Sequence, residues 1–212
     1  MPTTPARRRA PRPRWSVRAS AVAAALALTV AAGCASTSND TVTRTGGRDL
    51  NAAGDGYIGG NSLTLVPPHE RKPAPVAEGR SLDGDQISTD GYPGKVVVIN
   101  VWGSWCGPCR AEADDLAEAS KETADIAAFV GINVRDAQPE QAQAFARAFK
   151  VPYPSIFDPD ARQLLKFSGT LPASGIPSTL VIDTDGRIAA RIVGEVSKTT
   201  LVTLVQDTEQ GR

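Results

Sequence analysis

The feature that most constrains the fold of this chain is a strand that runs directly into a pair of cysteines. Residues 95–102, "KVVVINVW", form a continuous, mostly β-branched apolar run, which is typical of a strand covered on both faces. Cys106 and Cys109 follow, separated by Gly107 and Pro108. Proline is tolerated in the first turn of a helix, where its missing N–H has no helical partner. The sequence therefore predicts a buried strand, a short turn and a helix that begins at the cysteines.

The rest of the chain alternates strands and helices around this unit. A second apolar run spans 126–134, and two later strands are joined by a turn at 183–186. Helices are predicted from Pro139 and after Ser197, whose side chain suits an N-cap. Shorter predicted elements are a hairpin that turns at 83–84, a strand at 155–157 and a helix at 161–167. This order predicts an α/β fold with a central mixed β-sheet flanked by helices.

The spacing of the two cysteines favours thiol chemistry over a structural role. A structural zinc site needs about four Cys or His ligands, and the chain's one histidine, His69, lies far away in a proline-rich stretch. A disulfide across so short a loop constrains the unfolded chain little and tends to be strained. At the start of a helix, Cys106 is near unpaired N–H groups that favour its thiolate, and Cys109 is one turn further along. The pair is therefore predicted to exchange electrons.

The N-terminal region predicts export. Arginines without acids are followed by an apolar run from Ala19 to Gly33, which is typical of a secretory signal and short for a membrane-spanning helix. The segment that ends at Cys34 resembles a lipobox, where bacterial lipoproteins are cleaved and acylated on cysteine. The alternative is an ordinary cleaved signal with Cys34 lost. The predicted organisation is a signal peptide at 1–33, a flexible tether at 34–64 and one folded domain at 65–212.

Charge argues against nucleic acid as a partner. The whole chain has 23 basic and 23 acidic residues, but six of the arginines precede residue 19. The remainder therefore has an excess of about six acids, whereas binding to phosphates needs a basic face.

Two motifs give the chain a specific resemblance. Residues 100–112, "NVWGSWCGPCRAE", and residues 175–183, "GIPSTLVID", resemble the active-site and cis-proline segments of the TlpA/ResA-like family of membrane-tethered thioredoxins. The similarity covers roughly 65–210. It implies a thioredoxin-like fold with an N-terminal β-hairpin, and a helix and strand inserted near Pro139 and Ser155.

The resemblance also implies roles for individual residues. Cys106 would be the nucleophile and Cys109 the resolving thiol. Glu112 matches the family's acid, although an acid in the first helical turn also favours the helix dipole. Pro177 would be cis, which leaves the backbone of Ile176 free to pair with a bound peptide.

The surface around the cysteines is expected to contact the substrate. Trp105, Gly107 and Pro108 would contribute to it, although Trp105 could instead cover the core. Asn100 stands where cytosolic thioredoxins have a buried Asp, and is expected to be a buried polar residue with partners.

The resulting hypothesis is an exported thiol–disulfide oxidoreductase anchored through lipidated Cys34 at the outer face of the cytoplasmic membrane. The resemblance implies that it reduces specific protein disulfides, such as those of apocytochrome c, with electrons from a membrane thiol transporter and without a cofactor or metal. A thiol peroxidase is the closest alternative, but Gly103 and Ile99 occupy the positions of that family's Thr and Pro. A disulfide-forming oxidase and a non-catalytic lipoprotein module are the others.

Overall fold

The computed structural model describes residues 62–212. Residues 1–61, which include the predicted signal peptide, Cys34 and nearly all of the predicted tether, lie outside this part. The strands are β1 (Ser62–Leu65), β2 (Glu78–Arg80), β3 (Gln86–Ser88), β4 (Val96–Trp102), β5 (Ala127–Val134), β6 (Ser155–Asp158), β7 (Ser178–Ile182) and β8 (Ile188–Val193). The α-helices are α1 (Gly107–Glu122), α2 (Pro139–Ala148), α3 (Arg162–Leu165) and α4 (Lys198–Glu209).

Six of the strands form one mixed sheet in the order β1-β8-β7-β4-β5-β6. β4 is parallel to β5 and β5 is parallel to β6, whereas β7 runs antiparallel to both β4 and β8, and β1 antiparallel to β8. β2 and β3 form a separate hairpin. The predicted mixed sheet and N-terminal hairpin are therefore confirmed.

β4 lies inside the sheet, where side chains from other elements cover both of its faces and all seven of its residues are buried. Val96 and Val98 share a core cluster with Leu116 of α1 and with residues of α4. Val97 and Ile99 point to the other face, where they pack with residues around α3. Complete burial of such a side chain contributes roughly 1.5–3 kcal/mol. The end of β4 is therefore a rigid support for the cysteines that follow it.

The predicted insertion lies between β5 and β7 and consists of α2 and β6. Phe145 of α2 packs on Trp102 at the end of β4, with ring centroids 4.6 Å apart. Both residues belong to a third core cluster that also contains the two cysteines. The insertion thus covers one side of the cysteine pair, while β6 extends the sheet.

The first strand begins earlier than the predicted domain boundary. Residues 62–64, predicted as tether, belong to β1, whose four residues pair with β8 from Ser62–Val193 to Leu65–Ala190. Two of its side chains, Leu63 and Leu65, are exposed. The strand forms because β8 supplies backbone partners, and a run of four residues holds no local signal of that pairing.

The helix predicted at 161–167 is shorter in the structure. α3 contains only Arg162–Leu165, and the chain then continues in tight turns, with hydrogen bonds from Phe167 N to Leu164 O and from Thr170 N to Phe167 O. Leu164 and Phe167 are both buried. A short helix followed by turns therefore places these two side chains in the core without a longer helix.

Candidate active site

The two cysteines form a disulfide at the N-terminal end of α1, directly after β4. Cys106 is the N-cap residue of α1, and its Sγ lies 2.02 Å from Sγ of Cys109. The backbone N–H of Cys109 points at Sγ of Cys106, with nitrogen and sulfur 3.2 Å apart. A helix N-terminus carries partial positive charge and N–H groups without helical partners. It therefore stabilises a thiolate on Cys106 once the disulfide is reduced.

Both cysteine side chains are covered in the disulfide state. Cys106 is 4% exposed and Cys109 is 2% exposed, so the two residues are covered to nearly the same extent. The reason is that Cys106 caps the helix, which turns its sulfur towards the first helical turn. Gly107 and Pro108 are exposed, and Trp105 is 53% exposed. These three residues form the surface that a partner would meet, with the sulfurs just beneath.

The loop between β4 and α1 is fixed by contacts to the end of β5. Nε1 of Trp105 lies 3.4 Å from the carbonyl oxygen of Val134, and the backbone N–H of Ser104 donates to Oδ2 of Asp136 at 2.9 Å. A Cβ on Gly103 would lie 2.6 Å from Nε1 of Trp105, so the loop requires glycine there. Because Trp105 is largely exposed, it does not cover the core. Asp136 is absent from the predicted site residues, since only its place after a buried strand hints at a role.

The segment before β7 borders the same site. The peptide bond between Ile176 and Pro177 is cis, as the resemblance implies. Pro177 is buried, and partly buried Ile176 packs against the cluster that contains both cysteines. Pairing of the Ile176 backbone with a bound peptide stays a prediction.

Glu112 is buried one turn beyond Cys109 and makes two hydrogen bonds. Its Oε1 accepts from Nδ2 of Asn100 at 2.9 Å, and its Oε2 accepts from the backbone N–H of Val196 at 3.0 Å. Nδ2 of Asn100 also donates to Oγ1 of Thr179 at 3.2 Å, so the expectation of a buried, partnered Asn100 is confirmed. Desolvation raises the pKa of Glu112 to about 8, although both hydrogen bonds oppose the shift. The carboxyl group is therefore mostly protonated at neutral pH.

A small cavity lies beside Cys109 and Asn100. Its volume is about 10 Å³, and its mostly apolar lining includes Asn100, Cys109 and Tyr153, so it has room for at most about one water molecule. Desolvation, followed by the nearby Glu112, raises the pKa of Tyr153 above its ordinary value. Tyr153 therefore keeps its proton at neutral pH. No sequence pattern predicted Tyr153, because it enters from the loop between α2 and β6.

Two further observations concern what residues 62–212 contain. Within this range, no group of three or more His, Cys, Asp and Glu side chains is placed to hold a metal ion. No helix in the same range is long and apolar enough to cross a membrane. His69 is exposed on the surface, and the predicted lipidation site, Cys34, is not among the described residues.

Comparisons with known proteins agree with this geometry. A family model, Redoxin, matches residues 69–208. The thiol:disulfide interchange protein HelX of Rhodobacter capsulatus is 33% identical over 130 residues, which are 60% of this chain and 69% of HelX. The thiol-disulfide oxidoreductase ResA of Bacillus cereus is 27% identical over 127 residues, which are 60% of this chain and 71% of ResA. The crystal structure of a secreted thiol-disulfide isomerase from Corynebacterium glutamicum is 34% identical, with a TM-score of 0.67, over 70% of this chain and 92% of that one.

Proposed function

We propose that this protein reduces specific protein disulfides outside the cytoplasm. The chain belongs to the redoxin family and to its ResA/TlpA-like group of thiol–disulfide oxidoreductases. Its thioredoxin-like fold presents the reacting pair at the end of a rigid central strand. The observation that carries the proposal is the Cys106–Cys109 disulfide at the start of α1, next to Ile176 and Pro177.

The reaction is two successive thiol–disulfide exchanges. The Cys106 thiolate attacks one sulfur of the substrate disulfide, and the other substrate sulfur leaves as a thiolate. Cys109 then loses its proton and attacks Sγ of Cys106, which releases the second substrate thiolate and closes the Cys106–Cys109 disulfide. Two electrons pass to the substrate, and a membrane thiol transporter would restore them to the protein.

Glu112 would handle the proton that Cys109 must lose. A group with a pKa near the working pH can both accept and return a proton, and the pKa of Glu112 is raised to about 8. Asn100 holds the carboxyl group and also lines the cavity beside Cys109.

The proposed location is the outer face of the cytoplasmic membrane, with Cys34 as the lipid-bearing residue. The predicted signal peptide supports export, as does the similarity to a secreted thiol-disulfide isomerase from Corynebacterium glutamicum. Apocytochrome c, before haem attachment, is the candidate substrate that the ResA/TlpA-like resemblance favours.

The direction of electron flow is tested by the reduction potential of the cysteine pair. The Gly107-Pro108 pair between the cysteines is the same as in thioredoxin, so we expect a potential nearer to ~ −270 mV than to the ~ −120 mV of a strong oxidant. Equilibration with glutathione redox buffers measures it. A value above about −160 mV would favour the disulfide-forming oxidase instead.

Trapping of substrates tests the same proposal in cells. Cys109→Ser keeps the attacking thiolate and lacks the resolving thiol, so we expect covalent adducts that a reducing agent releases. Cys106→Ser is the matched control and should give few adducts, because Cys109 lacks the helix-start position. Absence of adducts from both variants would contradict thiol exchange with proteins.

A further inference from the structure

The end of β5 and the residues that follow it support one border of the cysteine pair. The carbonyl oxygen of Val134 faces Nε1 of Trp105, and Asp136 accepts hydrogen bonds from Ser104 N at 2.9 Å and from Nδ2 of Asn133 at 2.6 Å. Asp136 is buried. Both ends of this short segment are therefore anchored, and together they hold the loop that presents Trp105.

Arg135, the residue between these two anchors, reaches the opposite border. Its Nη2 donates to the carbonyl oxygen of Ala173 at 2.8 Å. Ala173 lies in a tight turn closed by a hydrogen bond from Gly175 N to Pro172 O at 3.1 Å, and Ile176 follows directly. The Arg135 side chain thus links the segment that supports Trp105 to the segment that contains Ile176.

Arg135 makes this connection from a backbone conformation that is unfavourable for its residue type. Its φ angle is +59°, a left-handed conformation that is unfavourable for residues other than glycine. The side chain is exposed, so burial does not account for an arginine here. Non-glycine residues in this conformation often occur at functional sites, and the contact that Arg135 makes is the one to Ala173.

We infer that Arg135 is a positioning residue that fixes the Ile176 segment relative to Trp105 and thereby sets how tightly an extended substrate segment binds between them. The inference rests on the proposed function, because it assumes that protein disulfides are the substrates. We assign to Arg135 an effect on substrate binding and none on the reactivity of Cys106, because its guanidinium group donates to Ala173.

Two substrates of different size separate binding from reactivity. The first is a short synthetic peptide whose cysteine carries glutathione, and the second is glutathione disulfide, which needs little of the surface around the cysteines. In turnover with dithiothreitol as reductant, Arg135→Ala should raise KM for the peptide roughly fivefold, the factor that corresponds to the loss of one ordinary hydrogen bond. We expect kcat and the rate with glutathione disulfide to stay within about twofold, since the helix start is unaltered.

Three further variants keep the inference falsifiable. Arg135→Lys retains a donor and should recover part of the affinity, whereas Arg147→Ala removes a different exposed arginine, in α2, and should leave KM unchanged. Arg135→Gly removes the side chain but suits the left-handed backbone, so it should match or exceed wild-type stability and still raise KM as Arg135→Ala does. If Arg135 only stabilised the fold, the activity of each variant would instead change in parallel with its stability.

The outcomes distinguish this inference from the proposed function. Unchanged KM in the alanine and glycine variants, or the same rise in Arg147→Ala, would overturn the role of Arg135 alone. A parallel fall with glutathione disulfide would also overturn it, because reactivity and not binding would have changed. Failure of the wild-type protein to reduce the peptide would contradict the proposed function itself.

Discussion

Glu112 is held by hydrogen bonds from Asn100 and Val196 in a part of the core from which water is largely excluded. The folded protein keeps the carboxyl proton up to about pH 8, whereas an unfolded chain releases it near pH ~4.3. The bound proton therefore stabilises the folded state at low pH, and this contribution is lost as the pH rises towards 8.

We predict that this single group gives the oxidised protein a pH-dependent stability. Between about pH 4.5 and pH 8 the free energy of unfolding should fall by up to ~1.4 kcal/mol per pH unit on account of Glu112. Glu112→Gln removes the titration, so its stability relative to wild type should rise with pH across that window. Urea unfolding with the disulfide intact measures the difference without interference from cysteine thiols.

Asp114→Asn is the matched control for this prediction, because Asp114 is an exposed acid on the same helix. Its difference from wild type should stay constant across the same pH range. A Glu112→Gln variant whose relative stability did not change with pH would show that the carboxyl group titrates normally.

At the scale of single residues, the sequence could predict those site residues that belong to short contiguous motifs. The cysteine pair, the position of Glu112 and the cis Pro177 could be predicted because each belongs to a run of neighbouring residues with its own signature. Asp136 and Tyr153 could not, because each meets the site from an element that is distant along the chain.

Elements were predictable where hydrophobic periodicity extended over several turns or a whole strand. β4 and β5 are continuous apolar runs, and α2 begins at its proline as expected. β1 and α3 each contain four residues. They depend on partners elsewhere in the fold, so the local pattern missed β1 and gave α3 too many residues.

α3 depends on one carboxylate at the end of β6. Asp158 accepts from the backbone N–H groups of Arg162, Gln163 and Leu164 at 2.8, 2.8 and 3.1 Å. These are N–H groups that a helix start leaves without partners. Asp158 is itself buried, so the bonds are shielded from water.

We predict that Asp158→Ala lowers the free energy of unfolding by about 2 kcal/mol, because it leaves charge-assisted hydrogen bonds at a helix start unmade. Asp158→Asn should lose less, since its oxygen can still cap. Asp160→Ala is the control, because the side chain of Asp160 is 69% exposed in a 3.4 Å ion pair with Arg162 and should cost under ~0.5 kcal/mol. Equal losses for Asp158→Ala and Asp160→Ala in urea unfolding would show that capping does not hold α3.

For the molecule as a whole, we predict that attachment to the membrane depends on Cys34. Cys34→Ala should move the protein from the membrane fraction to the soluble fraction, because the predicted tether is too polar to anchor the chain without lipid. Fractionation of cells that express a correctly processed variant measures this, with Cys109→Ser as a control that keeps the lipidation site. Membrane attachment of the processed Cys34→Ala variant would contradict lipidation.

The residue at which β1 begins determines how far the folded domain could move from a lipid anchor at Cys34. Between Cys34 and Ser62 lie 27 residues, and a chain of that length, if flexible as predicted, spans about 30 Å on average. Such confinement corresponds to an effective concentration of roughly millimolar for any partner fixed in the same membrane patch. Weak intrinsic binding to such a partner would then suffice for rapid exchange, and soluble proteins would encounter the cysteines far less often.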